Sequence, residues 1–211
     1  MKAILFDLDG TLVDSSIGIL NAFEYTFQKM KIPCPDPSIL SSYIGPPLEA
    51  TFSAFFKNKH DVEVAITHFR DFYRESGIYQ ARLYPEITEL LDNLSQEGLD
   101  LYVTTSKYEP MARQMLQDLT ISHYFKAILG SISNRCHKLD IVKACLQDFA
   151  INKKEAIIIG DTKFDMIGGK QAGITRLGVT WGFGCQEDLQ AHGAQYIGHT
   201  PQEVIEIIQS L

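Results

Sequence analysis

The chain has 211 residues, 19 basic and 26 acidic, for a net charge of −7, with 45% hydrophobic and 21% charged side chains. That is ordinary for a soluble globular protein and holds one large domain or a core plus a smaller one. The negative charge speaks against a nucleic-acid polymer or anionic membrane as partner, yet permits an anionic substrate where a divalent cation reverses the local field.

The N-terminal "MKAILFDLDG" opens like a signal peptide, but Asp7 breaks the apolar run too early for an h-region or a membrane span. Cys34, Cys136, Cys145 and Cys185 are scattered, with no CxxC, which argues against a zinc cluster or disulfide framework. A soluble, cytoplasmic protein is expected. In chain order, "AILF" (3–6), "LDLYVTT" (99–105), "AIIIG" (156–160) and "ITRLGV" (174–179) read as strands buried on both faces, as in a parallel sheet. Between them, 86–96 places Ile87, Leu90, Leu91 and Leu94 on one helical face. Residues 138–149 do the same with Leu139, Val142, Cys145, Leu146 and Phe149. The C-terminal "HTPQEVIEIIQSL" carries a capping box, with Thr200 at N-cap, Pro201 at N1 and Glu203 at N3. Alternating strands and helices predict a doubly wound α/β fold.

Residues 15–84 differ, with no buried-strand run. Ile17, Leu20, Phe23, Phe27 and Met30 form a helical stripe, "PCPDP" and "IGPP" punctuate the chain, and 61–76 is amphipathic. The expectation is a helical insert at 15–84 and an α/β core from 1–14 plus 85–211. Such an insert lies beside the carboxyl ends of the strands, where open α/β sheets bind ligands.

The strand through Phe6 delivers Asp7 and Asp9 to the sheet edge, and Gly10 permits a tight turn behind them. Two carboxylates facing one way repel unless a cation or proton intervenes, and Mg²⁺ suits such oxygen ligands. An EF-hand is excluded, because Leu8 separates the pair and Leu12 stands where the turn glycine belongs. In "IIIGDTKFD", Asp161 is placed to complete a metal site with Asp7. Asp165, one turn on, is placed to orient Asp161, a metal-bound water or a neighbouring cation; the plainer reading is an N-cap followed by a solvated carboxylate. "YVTTSK" ends a strand in Thr104, Thr105 and Ser106, hydroxyls suited to phosphate oxygens. Lys138 opens a helix against the macrodipole, a local conflict found both at functional sites and on solvated surfaces.

With these four clusters in this order, the chain resembles the haloacid dehalogenase (HAD) superfamily. It looks like the small phosphatases with a helical cap after the first strand. "DLDGTLVDS", "VTTSK", the lysine of "HKLDIV" and "GDTKFD" match the four superfamily motifs, and "GVTWGFG" and "YIGPPLEATF" look like phosphoglycolate phosphatase-like and 5′-nucleotidase-like members. The resemblance implies a Mg²⁺-dependent hydrolase of small phosphorylated metabolites. Asp7 is then the nucleophile and Asp9 the general acid and base. The metal is held by Asp7, Asp161 and the Asp9 carbonyl. Thr105, Ser106 and Lys138 bind the phosphoryl group, and Asp165 stands behind the metal ligands. Lys138-Leu139 departs from the common Lys-Pro.

Asp9 argues against a dehalogenase. A phosphosugar mutase keeps all these residues. A phosphonate hydrolase needs a cap lysine, and Lys57 and Lys59 lie in a stretch that reads as a polar loop. A non-catalytic regulatory module is expected to lose Asp7, Asp9 or Lys138, all present. No GxGxxG follows the first strand, against a dinucleotide binder, and a DxD glycosyltransferase leaves "GDTKFD" unexplained. Nucleoside, glycolate and pyrophosphate substrates stay open, with Tyr43, Phe52, Phe55 and Phe56 as stacking candidates or core. Lys57, Lys59, Arg70, Arg74 and Arg82 are basic residues of the insert that could meet a negatively charged leaving group. The sequence sets no oligomeric state.

Overall fold

The computed structural model describes residues 1–211. In chain order the elements are β1 (Ala3–Phe6), β2 (Val13–Asp14), α1 (Ser16–Lys29), α2 (Pro37–Ser41), α3 (Leu48–Ser53), α4 (Lys59–Glu75), β3 (Arg82–Leu83), α5 (Ile87–Gln96), β4 (Asp100–Tyr108), α6 (Glu109–Asp118), β5 (Ala127–Ser131), α7 (Lys138–Asp148), β6 (Ala156–Gly160), α8 (Lys163–Ala172), β7 (Thr175–Val179), α9 (Gln186–Ala191), β8 (Tyr196–Gly198) and α10 (Pro201–Gln209). The six-stranded sheet runs β5-β4-β1-β6-β7-β8 and is parallel throughout. Ala3 pairs with Asp100 on one side and Ala156 on the other, so β1 is central.

Alternation along β1 feeds two cores. Ile4 and Phe6 join the cluster that includes Leu90, Leu94, Met115 and Val204 from α5, α6 and α10. Ala3 and Leu5 join the opposite cluster, with Val142 and Cys145 of α7 and Ala172 at the end of α8. That two-faced burial is why the strands read as continuous apolar runs. After β1 the chain builds β4 and β5 on one side, then returns to lay β6, β7 and β8 on the other. A crevice therefore opens at the carboxyl ends of β1, β4 and β6, where the strand order reverses.

The helices α1–α4 lie between β2 and β3, an antiparallel ribbon closed by an Arg82–Asp14 ion pair at 3.1 Å. They bury an aromatic cluster, with Phe23 centred 5.0 Å from Phe69 and 5.7 Å from Phe52.

Several predicted faces shift. On α1, Ile17 is 52% exposed, and the buried face is Gly18, Ile19, Ala22, Phe23, Thr26 and Phe27. Gly18 approaches the Gly77 carbonyl so closely that a Cβ would overlap it. The helix thus keeps Phe23 and Phe27 of the predicted stripe inward but rotates Ile17 out, with Gly18, Ile19, Ala22 and Thr26 completing the buried face. On α7, Ile141 is buried, while Phe149 lies beyond the helix end and is exposed, its ring 5.1 Å from Tyr102. At α10, Thr200 Oγ1 accepts from Glu203 N at 3.2 Å as expected, but the Glu203 carboxylate reaches one residue further back, to His199 N at 2.8 Å. Lys59 of the supposed polar loop begins α4, capped by Asn58. No helix is long and apolar enough to cross a membrane.

Candidate active site

Four buried segments converge at the crevice. Asp7 follows β1 directly, and its backbone N–H donates to Ile159 O of β6 at 2.9 Å, extending the parallel ladder by one residue. Gly10 then turns the chain with φ +86°, a conformation costly for a side chain, and a Cβ there would overlap Asp161 Oδ2. Lys138, the first residue of α7, is buried. Its Nζ stands 2.8 Å from Asp7 Oδ1 and 2.7 Å from Asp165 Oδ1 and donates to Thr104 O at 2.9 Å. The close approach of α8 holds it there, since a Cβ on Gly168 would stand 2.8 Å from Lys138 Cγ.

Helix α8 begins one residue later than an Asp161 N-cap would require. Thr162 is the N-cap, and Asp165 at N3 closes a capping box, its Oδ2 accepting from Thr162 N at 3.1 Å and Thr162 Oγ1 at 2.8 Å. Asp165 is not solvated; its two oxygens serve the helix cap and Lys138. Asp161 is left beneath the turn, Oδ1 accepting from Thr11 Oγ1 at 2.9 Å and Oδ2 from Phe183 N at 2.8 Å. Trp181 of the "GVTWGFG" tract donates through Nε1 to Thr11 O at 3.0 Å and so packs this wall.

Carboxylate oxygens of Asp7, Asp161 and Asp165 lie within 4.8 Å of one another, all buried. One lysine faces these three acids, leaving uncompensated negative charge. Burial first, then Asp165 and Asp7, push Asp161 up to about 8. Burial first, then Asp165, push Asp7 up to about 6 despite Lys138. Burial works to lower Lys138, but Asp165 and Asp7 outweigh it and raise the ammonium. Such a cluster fits a hard divalent cation, whose charge would remove the cost of ionising both raised carboxyls. Asp165 gives one oxygen to the helix cap and the other to Lys138, so Asp7, which meets Lys138 through Oδ1 alone, and Asp161, which accepts from Thr11 and Phe183, are the side chains that could hold it.

Asp9 lies outside this cluster. Lys107 Nζ sits 3.0 Å from both its oxygens and 2.7 Å from the Tyr73 hydroxyl of α4. Each of the first two aspartates therefore has its own lysine. This answers part of their repulsion and ties the core to the insert. Thr105, not Thr104, lines the cavity, with Ser106; Thr105 Oγ1 accepts from Lys107 N at 3.2 Å. That cavity, about 350 Å³, lies between the strand ends and the insert and is floored by Asp7 and Asp9.

The structure thus brings Asp7, Asp161, Asp165 and Lys138 together and sets Asp9, Thr105 and Ser106 around the adjoining cavity. Sequence reasoning missed Lys107, Tyr73 and Thr11. The signal for Lys107 was present in "TTSK", where a lysine two residues past Thr105 reaches the same strand end. Tyr73 carried no local signal, since its partner is 34 residues away.

A sequence profile described as haloacid dehalogenase-like hydrolase matches residues 4–179. A 5′-nucleotidase of Pseudomonas aeruginosa is 35% identical over 192 residues, 90% of this chain and 87% of that protein. A phosphoglycolate phosphatase of Aquifex aeolicus is 32% identical, covering 87% and 86% of the two chains. Among solved structures, a haloacid dehalogenase-like hydrolase from Streptococcus pneumoniae superposes with a TM-score of 0.94 at 45% identity over 99% of both chains.

Proposed function

Because the chain belongs to the haloacid dehalogenase-like hydrolases and is a phosphatase of that family, we propose that it is a Mg²⁺-dependent hydrolase of small phosphomonoesters, phosphoglycolate phosphatase-like, working through an aspartyl-phosphate on Asp7. The observation that carries this reading is the buried Asp7–Lys138–Asp165 constellation beside Asp161. In this reading residues 15–84 are a cap over a catalytic core of 1–14 and 85–211, and the four unpaired cysteines suit a cytoplasmic setting.

The metal would be held by the Asp7 and Asp161 side chains and the Asp9 carbonyl. When bound, it supplies the positive charge that lets a carboxylate approach a phosphate dianion. Asp7 attacks phosphorus; its oxygen–phosphorus bond forms as the bond to the leaving oxygen breaks. Asp9 gives that oxygen a proton, since a bare alkoxide leaves poorly. Asp9 then takes a proton from the water that attacks the same phosphorus, releasing phosphate and restoring Asp7. Lys138 and Thr105, with Ser106, hold the phosphoryl oxygens and oppose the charge that builds on them. Asp165 keeps Lys138 in place, and Lys107 with Tyr73 sets the direction of the Asp9 carboxyl.

A second reading, hydrolysis of nucleoside monophosphates, is favoured by Tyr43 in the cavity wall and by the name of the Pseudomonas relative. Asp7→Asn tests the shared chemistry. The variant should stay folded by circular dichroism and lose Mg²⁺-dependent release of p-nitrophenol from its phosphate. Wild-type turnover in that variant would remove Asp7 as nucleophile.

A further inference from the structure

We propose that Arg70 grips a second anionic group on the leaving alcohol, so that the preferred substrates are short phosphomonoesters bearing a carboxylate or a second phosphate. The inference rests on the phosphatase reading above and deepens it. Of the seven lysines and arginines in residues 15–84, only Arg70 lines the cavity that Asp7 and Asp9 floor. Arg74 is paired with Asp71 at 2.9 Å and Arg82 with Asp14 at 3.1 Å, both away from it.

Arg70 is the uncommitted cation of this cavity. Lys107 is taken by Asp9 and Tyr73, whereas Arg70 Nε is buried with no hydrogen-bond partner. Its one ion pair, to Glu49, is 3.5 Å long, beyond the range of a charge-assisted hydrogen bond. Its guanidinium lies over the Tyr108 ring, 5.7 Å from the centroid, a cation–π contact that leaves the N–H donors unspent. A planar fork with unused donors matches the paired oxygens of a carboxylate or phosphate. A buried N–H without an acceptor is costly, and the guanidinium that carries it borders a cavity with Ser106, Ser131 and Ser133 in its wall.

Size points the same way. A cavity of about 350 Å³ is at the small end of ligand sites. Of the four candidate stacking rings, Phe52, Phe55 and Phe56 pack around Phe27 inside the insert, and only Tyr43 reaches the cavity. Phe23, Phe69, Tyr73 and Tyr108 also border the cavity, but Phe23 and Tyr73 pack on Phe69 and Tyr108 faces Arg70, so it is the small volume that argues against a nucleobase.

The test compares kcat/KM for 2-phosphoglycolate, ethanediol bisphosphate, 2-hydroxyethyl phosphate and AMP, with Mg²⁺, in wild type, Arg70→Ala and Arg70→Lys. The wild type should prefer the two anionic alcohols over 2-hydroxyethyl phosphate, chiefly through KM. Arg70→Ala should shrink that preference about 10- to 100-fold, and Arg70→Lys, which keeps the charge but not the fork, should fall between. A larger loss on phosphoglycolate than on the bisphosphate identifies a carboxylate as the natural group; the reverse identifies a phosphate. A wild type that favours AMP or 2-hydroxyethyl phosphate, or an Arg70→Ala variant that keeps the wild-type preference, overturns the inference while leaving the phosphatase reading intact. A wild type inactive on all four and on p-nitrophenyl phosphate overturns both.

Discussion

Stripping divalent cations should make this protein less stable as pH rises, with Asp161 as the main cause. Burial, then Asp165 and Asp7, push Asp161 up to about 8, whereas an aspartate in an unfolded chain titrates near 3.9. Between these values the folded state keeps a proton that the unfolded chain has shed. The unfolded state thus binds fewer protons, and stability falls with rising pH until Asp161 is ionised in both states. Asp7, pushed up to about 6, acts in the same direction below that pH. From about pH 6 to about pH 8 Asp161 is the remaining one of the two; its slope tapers as the pH nears its own titration, and it costs about 2 kcal/mol across the window. For a chain of this size that is a fall in Tm of roughly 4–8 °C. Thermal scans in chelator at both pH values, for wild type and Asp161→Asn, isolate the effect, because the asparagine has no proton to lose. Excess Mg²⁺ should flatten or reverse the wild-type slope, since the cation takes the proton's place. Equal slopes for wild type and Asp161→Asn in chelator would refute the reasoning.

Lys107→Met should lower kcat on alkyl phosphates more than on p-nitrophenyl phosphate, because a misdirected Asp9 hurts most where the leaving oxygen needs its proton. Equal losses on both would deny Lys107 a role in aiming Asp9. Gly10→Ala should cost about 2–4 kcal/mol, from the positive φ plus overlap with Asp161. Denaturant titration checks this, and an unchanged midpoint would show that the turn relaxes freely.

Strands β1, β4, β6 and β7 were legible in the sequence because burial on both faces leaves no polar alternation. Strand β5 was not, since "AILGS" lies at the sheet edge, carries Gly130 and buries only its middle three residues; β8 has only three residues. Helix α8 was obscured by Gly168 and Gly169, poor helix formers retained where α7 and β6 press close. At the site, the residues carried on strand ends were readable, because Asp7, Thr105 and Asp161 each end an apolar run. What was not readable was pairing across the fold. Asp9 looked like a partner of Asp7 by its spacing, yet its carboxylate is held by Lys107, 98 residues away. Asp165 was open between orienting Asp161, a metal-bound water or a neighbouring cation and standing solvated; the structure pairs it with a cation, Lys138, and spends its other oxygen on the Thr162 cap. Long side chains choose partners by tertiary proximity, which periodicity does not encode.

The central claim, that Asp7 carries the phosphoryl group between substrate and water, is tested most directly in Asp9→Asn. This variant can still accept a phosphoryl group from p-nitrophenyl phosphate, whose leaving group needs no proton, but lacks the base that activates water. Mixed with excess substrate and quenched with borohydride, which reduces an aspartyl-phosphate to homoserine, it should release a burst of about one p-nitrophenol per enzyme. Peptide mass spectrometry should then find homoserine at residue 7. A burst without conversion of residue 7, or conversion at another residue, would contradict the assignment.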